Sequence, residues 1–120
     1  MTDPRETKLA DVLVNYSVRL KKGEKVLIEA IGVGDSLVIE IVKKAYEAGG
    51  YPFVNVIDNK IQRALLSGTT EKHLSYWTKY DAYRMDDMDA YIGVRGGDNS
   101  YELSDVPADR MSLYSRLYQH

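Results

Sequence analysis

The sequence predicts an α/β fold, in the form of a three-layer α/β/α domain with a small, mainly parallel sheet and crossover helices. Short apolar runs alternate along the chain with longer segments whose apolar residues recur at helical spacing. Glycines and helix-capping residues separate these segments. The length of 120 residues fits one domain, residues 1–120.

The first element is predicted to be a helix with clear boundaries. Asp3 is a candidate N-cap, Pro4 suits the first helical position, and Glu6 would complete a capping box. Gly23 is the expected left-handed stop. The residues expected on the buried face are Leu9, Val12, Leu13, Tyr16 and Leu20.

A β-α-β unit follows. Residues 25–31 and 51–57 are apolar runs typical of buried strands, and Asp35 or Ser36 is expected to cap the helix between them. Such units cross over with right-handed topology, so the two strands should be parallel neighbours. The apolar residues of the helix are Leu37, Val38, Ile41, Val42, Ala45 and Tyr46.

The outer surface of this second helix is expected to carry an ion pair. Glu40 and Lys44 lie four residues apart, with the acid nearer the amino terminus, which is the favourable order on a helix.

The second half of the chain continues the alternation of helices and strands. A third helix is predicted over residues 60–67, and a fourth, capped by Thr69 or Thr70, runs to about Arg84. A third strand is predicted over residues 89–94.

A last helix is predicted to begin at Pro107. Its apolar stripe comprises Leu113, Tyr114, Leu117 and Tyr118. The chain stops on this helix at His120 without a stop signal, and three strands are few for such a sheet. We therefore expect a piece of a longer polypeptide or a domain that rests on a partner.

Composition excludes several classes of function. The net charge of -2 predicts no general attraction to nucleic acid or to anionic membranes. The sequence has no cysteine, which excludes disulfides and thiolate zinc sites. No apolar run approaches the length that spans a bilayer, and the polar amino terminus is not a signal peptide. We expect a cytoplasmic protein.

The sequence does not supply a metal centre or a nucleophilic triad. Only His73 and His120 are available as imidazoles, and no His-Glu-x-x-His pattern occurs. Asp86, Asp87 and Asp89 are clustered but lack the spacing of a calcium loop, so a solvated surface is the preferred interpretation. We predict no catalytic residue and no metal ligand within this chain.

A glycine-rich turn raises an alternative function. Gly32 and Gly34 lie between a predicted strand and a predicted helix, where phosphates bind in nucleotide-binding folds. Leu37 occupies the position of the third glycine of that motif, so a tight turn is preferred. A flavodoxin-like module that binds a small ligand or a phosphate, through these glycines and Arg95, remains the alternative.

Three residues are candidates for a substrate cleft. Arg95, Asp98 and Asn99 flank two glycines just after the third predicted strand. Open α/β sheets bind ligands at the carboxyl ends of their strands, and an arginine can hold a carboxylate with two hydrogen bonds. An arginine in a surface ion pair explains the same pattern equally well.

Several segments resemble one enzyme family. They read Leu-Val-Asn-Tyr-Ser over residues 13–17, Lys-Gly-Glu-Lys-Val-Leu-Ile over 22–28 and Ala-Tyr-Glu-Ala-Gly-Gly-Tyr-Pro over 45–52. Met-Asp-Ala-Tyr-Ile over 88–92 and Asn-x-x-Glu-Leu-Ser-Asp-Val over 99–106 continue the series. In this order and spacing, the segments resemble the amino-terminal part of M29 metallo-aminopeptidases (aminopeptidase T/S-like, thermophilic metalloproteases).

The resemblance implies an activity that this chain does not complete. Family members are about three times as long as this chain. Their carboxyl-terminal domain holds two divalent metals, commonly zinc or cobalt, at which amino-terminal residues are removed from peptides. Family members also form homodimers. The resemblance therefore implies an amino-terminal domain that supports or walls a peptide chamber and is inactive alone. Its expected partners are peptide substrates, its own carboxyl-terminal domain and a second copy.

Overall fold

A computed structural model describes residues 3–96 of the chain. A parallel sheet in the order β2-β1-β3 forms its centre. The elements in chain order are α1 (Pro4–Asp11), a π-helix (Val12–Ser17), β1 (Lys25–Ile31), α2 (Asp35–Glu47), β2 (Tyr51–Ile57), α3 (Asn59–Gly68), α4 (Glu71–Asp86) and β3 (Ala90–Arg95). The last predicted helix, from Pro107, lies outside the described residues.

The sheet confirms the predicted α/β fold. Strands β1 and β2 have the predicted bounds and are parallel neighbours, as the crossover rule requires. Strand β3 lies one residue later than predicted and pairs with the other edge of β1. Ile28, in the middle of β1, is in register with Val54 and Ile92.

Helices lie on both faces of the sheet. Helices α1 and α2 cover the face that bears Val26 and Ile28. On the other face, Arg84 of α4 reaches Glu29 of β1. The apolar core lies on the first face and comprises Ala10, Val14, Leu20, Val26, Ile28, Leu37, Ile41, Ala45, Ile92 and Val94.

The first helix differs from the prediction in its length and in part of its buried face, although Leu9, Leu13 and Leu20 lie in or against the core as predicted. After Asp11 it continues as a π-helix, in which the Val18 N–H donates to the Leu13 carbonyl, five residues back, at 3.1 Å. The wider turn changes which side chains face the core, so Val14 is buried and Tyr16 is 69% exposed. Arg19, with φ of 50°, follows the π-helix, well before the predicted stop at Gly23.

The capping box predicted at α1 is wrong, because Glu6 has a tertiary partner. Asp3 does cap the helix and accepts from the Arg5 N–H at 2.9 Å. Glu6 is buried and accepts a hydrogen bond of 2.6 Å from the Ser36 hydroxyl. Since Ser36 is engaged there, the N-cap of α2 is Gly34, and neither predicted cap serves.

The ion pair predicted on the outer surface of α2 is also wrong. Glu40 is buried against α1, where it accepts from the Thr7 hydroxyl at 3.2 Å. Its ion-pair partner is Lys43, at 3.3 Å, while Lys44 pairs with Glu47. The contact between α1 and α2 therefore overrides the pairing expected from spacing.

The later helices follow the prediction closely. Asp58 caps α3 by accepting from the Lys60 N–H, and Thr70 caps α4 by accepting from the His73 N–H. Across residues 3–96, no helix combines the length and apolar character needed to cross a membrane. The cytoplasmic location stays a prediction.

Candidate functional site

The most unusual residue of the sheet is Glu29, a carboxylate in the middle of the central strand. The preceding residue, Ile28, faces the apolar core, so the alternation of a strand directs Glu29 to the opposite face. Only 4% of Glu29 is exposed. A buried carboxylate is costly unless hydrogen bonds and opposite charges compensate it.

The two flanking strands supply the hydrogen bonds. The Tyr91 hydroxyl of β3 donates to Glu29 Oε1 at 3.0 Å, and Asn55 Nδ2 of β2 donates to Oε2 at 3.2 Å. Gly93 makes room for the tyrosine, because a Cβ there would lie 2.6 Å from the Tyr91 hydroxyl oxygen. Burial, reinforced by the Glu29 charge, raises the pKa of Tyr91, so the phenol stays protonated and remains a donor.

Two guanidinium groups compensate the charge. Arg84 of α4 and Arg95 of β3 each place a terminal nitrogen 3.8 Å from a Glu29 oxygen. Arg84 also contacts Asp81, one helical turn earlier, at 3.2 Å. Burial raises the pKa of the Asp81 carboxyl, an effect that the Arg84 charge opposes and the Glu29 charge adds to. We call Glu29, Asn55, Asp81, Arg84, Tyr91 and Arg95 the Glu29 cluster.

The Glu29 cluster is a network of buried ion pairs and hydrogen bonds that fixes the strands and α4 relative to one another. Its two carboxylates are matched by two guanidinium groups, one of which belongs to α4 and the other to the last residue of β3. Such a network ties β1, β2, β3 and α4 together beneath the carboxyl edge of the sheet. Because two cationic side chains already surround Glu29, the cluster is unsuited to hold a metal cation.

Hydrogen bonds also close the carboxyl edge itself. The Gly32 N–H donates to the Ile57 carbonyl at 3.0 Å, and the Gly96 N–H donates to the Ile31 carbonyl at 2.9 Å. Asn59 crosses above Gly32 and donates from Nδ2 to the Gly96 carbonyl at 3.0 Å. Any side chain at Gly32 would collide with Asn59, and its φ of 71° favours glycine as well.

The structure describes one of the three predicted cleft residues. We predicted that Arg95 begins the loop after the third strand. In the structure it is instead the last residue of β3. Its side chain is 12% exposed and contacts Glu29, so a ligand carboxylate would compete with that residue. Asp98 and Asn99 lie outside the described residues. Their assignment to a substrate cleft stays a prediction.

Sequence reasoning did not identify Glu29, although a signal was present. A single carboxylate interrupts the apolar run of β1, between Ile28 and Ala30. A charged residue at the centre of a doubly covered parallel strand requires buried partners. The partners could not be named from the sequence, because they come from β2, β3 and α4.

The described side chains do not fit a two-metal centre. Between residues 3 and 96, no group of three or more histidine or acidic side chains is placed to hold a metal ion. His73 lies on α4, where it contacts the Thr69 hydroxyl at 2.9 Å and the Trp77 ring. Among the clustered aspartates, Asp87 pairs with the Lys25 ammonium at 3.0 Å. His120 lies outside the described residues.

Comparisons with known proteins give a consistent picture. The family model for thermophilic metalloproteases (M29) matches residues 2–120. Among solved structures, wild-type AmpT from Thermus thermophilus is similar in fold, with a TM-score of 0.62 and 23% sequence identity. The match covers 95% of this chain and 31% of the AmpT chain, so this chain spans about a third of that structure. A comparison with curated proteins found no match.

Proposed function

The chain belongs to the M29 family of thermophilic metalloproteases, and on this basis we propose that it is the amino-terminal α/β domain of a metal-dependent aminopeptidase. The intact enzyme would remove amino-terminal residues from peptides. The observation that carries the proposal is the family match, which extends over residues 2–120. The α/β fold and its likeness to AmpT are consistent with it.

The metal centre of the proposed enzyme would lie in a separate, carboxyl-terminal domain. Two divalent ions, zinc or cobalt, would polarise the peptide carbonyl and supply hydroxide there. The described part of this chain offers no suitable ligand set, and the solved AmpT chain is about three times as long as the matched region. The difference in length supports a division of labour in which the metal ligands lie in the further part of the enzyme.

The role that we propose for this domain is to support the catalytic domain and to help wall the peptide chamber. A domain that lines a substrate chamber needs a rigid fold. The Glu29 cluster supports this role, since it joins three strands and α4 through buried polar contacts. Arg95, the last residue of β3, lies at the carboxyl edge of the sheet, where peptides would approach.

The activity can be tested by comparing two lengths of the protein. The 120-residue chain and a version extended by an M29 carboxyl-terminal domain would each be loaded with zinc or cobalt and given aminoacyl reporters and dipeptides. We expect metal-dependent release of amino-terminal residues by the extended protein alone. An extended protein that folds and binds metal but cleaves none of these substrates would contradict the proposal, as would turnover by the short chain.

The phosphate-binding alternative has less support. Asn59 fills the space above Gly32, where a phosphate would approach the turn. Arg95, the proposed cationic partner, is engaged with Glu29. A thermal-shift screen with nucleotides and flavins separates the two functions: a rise of several degrees with one of these ligands would favour the binding module.

Two further proposals rest on the resemblance to the family. We propose that the intact enzyme is cytoplasmic and that it forms a homodimer. Fractionation of cells that express the tagged protein would test the location. Sedimentation of the extended protein would test the dimer.

A further inference from the structure

The carboxyl edge of the sheet is closed by bonds between residues at the ends of the strands. Beyond β1, the Gly32 N–H donates to the Ile57 carbonyl of β2, and beyond β3 the Gly96 N–H donates to the Ile31 carbonyl of β1. Asn59 adds a side-chain bond, because its Nδ2 donates to the Gly96 carbonyl at 3.0 Å. Asn59 therefore links the chain after β2 to the chain after β3, across the end of β1.

Gly96 is held on both sides by these bonds. Its N–H is bonded to Ile31 and its carbonyl to Asn59. The carbonyl belongs to the peptide bond that leads into Gly97, so its direction sets the direction in which the chain leaves β3. Because glycine has the greatest backbone freedom of all residues, the Asn59 bond restricts a point that would otherwise rotate easily.

The Asn59 side chain is itself fixed by its surroundings. Asn59 is the first residue of α3, and Asp58 caps that helix by accepting from the Lys60 N–H at 2.7 Å. The amide group of Asn59 lies directly against Gly32, where a Cβ would collide with its carbon, oxygen and nitrogen atoms. The helix cap and Gly32 together hold the amide where Nδ2 reaches the Gly96 carbonyl.

The bond made by Asn59 lies outside the ladder of the sheet. The pairing of β1 with β3 runs from Val26 and Ala90 to Ile31 and Arg95, and Asn59 bonds to the residue that follows. The register of the strands is set by the ladder itself. The bond therefore acts mainly on the chain that leaves the sheet.

That chain adjoins the residues predicted for the substrate cleft. Arg95 directly precedes Gly96, and the other two predicted cleft residues follow within three positions of it. Open α/β sheets bind ligands at the carboxyl ends of their strands. The end of β3 has two supports there, since Glu29 contacts the Arg95 side chain and Asn59 holds the backbone.

We propose that Asn59 is a positioning residue for peptide binding: by holding the Gly96 carbonyl, it fixes the backbone that presents Arg95 and the loop after β3 to the substrate. The inference rests on the proposed function, because it assigns a task within the peptide chamber. Asn59 acts through the backbone and not on the reacting atoms. Its loss should therefore weaken substrate binding and leave the chemical step unchanged.

Amide hydrogen exchange tests whether Asn59 holds the end of β3. Asn59→Asp is the principal variant, because it keeps the size of the side chain and replaces the donor with an oxygen that repels the Gly96 carbonyl. Loss of one hydrogen bond should speed exchange at the Gly96 amide about fivefold. The Ile28 amide, at the centre of β1, should keep its rate. Asn59→Ala, which adds no charge, should act in the same direction.

Asn15→Asp is the matched control. Asn15 lies on the π-helix, where its Nδ2 donates to an Asp11 oxygen at 2.7 Å. This variant also loses an amide donor and gains a negative charge, but the bond that it breaks is not at the end of a strand. Exchange at the Gly96 amide should not change.

Steady-state kinetics of the extended, metal-loaded protein test the effect on peptide binding. We expect Asn59→Asp to raise KM about five- to tenfold and to change kcat by less than about twofold, because the metals supply the chemistry. Asn15→Asp should change neither constant. A residue that only stabilised the fold would lower the amount of active enzyme, and hence the apparent kcat, without a selective rise in KM.

The outcomes distinguish this inference from the proposed function. Gly96 exchange that is unchanged in Asn59→Asp would overturn the role of Asn59 and leave the proposed function intact. So would faster exchange with an unchanged KM, or a fall in kcat alone. An extended protein of the original sequence that binds metal but cleaves no peptide would contradict the proposed function, and this inference with it.

Discussion

On one face of strand β1, Val26 and Ile28 pack into the apolar core beneath α1 and α2, whereas on the other face Glu29 lies among charged and polar groups from three elements. Both faces are almost inaccessible to water at the centre of the strand. The apolar face gains stability from burial that needs no particular geometry. The polar face is stable only if each buried group keeps its partner.

The comparison predicts that the two faces respond differently to substitution. Deletion of carbon atoms on the apolar face should cost free energy in proportion to the cavity that is left. In the Glu29 cluster, removal of one side chain should lower the free energy of unfolding by an amount that depends on which buried partners lose their hydrogen bond or ion pair. The losses from two such removals should not be additive.

The largest expected effect is that of Ile28→Ala on the apolar face. Ile28 is fully buried, and we expect the free energy of unfolding to fall by about 4 kcal/mol. Urea denaturation followed by circular dichroism would measure it. Ile39→Ala, which shortens an exposed isoleucine, is the control and should cost well under 1 kcal/mol. Similar losses for the two variants would mean that the core lies elsewhere.

The next largest effect should come from Glu29→Ala, which leaves Arg84 and Arg95 close together without their shared carboxylate. We expect a loss of about 3 kcal/mol, typical of a broken buried ion pair. Glu47→Ala, which removes a surface pair with Lys44, should cost about 0.5 kcal/mol. A Glu29→Ala variant as stable as the original protein would show that the cluster does not support the fold.

Tyr91→Phe should have a smaller effect, because it removes one hydrogen bond and keeps the ring over Gly93. The expected loss in the free energy of unfolding is about 1 kcal/mol. In a double-mutant cycle, the same substitution made in the Glu29→Ala background should cost much less, since the acceptor is already gone. Additive losses would indicate that the two groups do not interact. Tyr83→Phe, on an exposed tyrosine of α4, serves as the control.

The smallest expected effect is the contribution of Asp81 to the pH dependence of stability. Because burial raises the pKa of this carboxyl above 3.8, the folded protein binds the proton more tightly than the unfolded chain does. Its contribution to stability is therefore greatest at low pH and is lost as the pH rises through the folded pKa. The melting temperature of Asp81→Asn minus that of the original protein should become more positive from about pH 4 to about pH 7. A difference that falls over this range would contradict the sign of the shift.

The apolar face was also the more predictable one. The bounds of β1 and β2 follow from short, mainly apolar runs ending at glycine or a polar cap, which are local signals. Part of the buried face of the first segment was missed after Asp11, because hydrophobic spacing assumes an α-helical period and the chain adopts a π-turn. Leu13 and Leu20 lie against the core as predicted, but Val14 replaces Tyr16 there. The roles of Glu6 and Glu40 were missed for another reason, since each has a partner some thirty residues away.

The contacts of the polar face could not be predicted from the sequence. Arg95 was selected for its place after a strand, and the structure adds a partner, Glu29, that lies 66 positions earlier in the chain. Asn59, which was not considered, joins the start of α3 to the end of β3 above Gly32. Such contacts depend on strand order, which brings β1 between β2 and β3.

We propose that the 120-residue chain is a supporting domain and that the peptidase metals are held elsewhere in the enzyme. Equilibrium dialysis against zinc and cobalt at neutral pH, followed by measurement of the metal content of the protein, tests it most directly. We predict no stoichiometric binding of either metal to the folded chain. One or two equivalents retained at low free metal, and lost on substitution of acidic or histidine residues within residues 3–96, would contradict it.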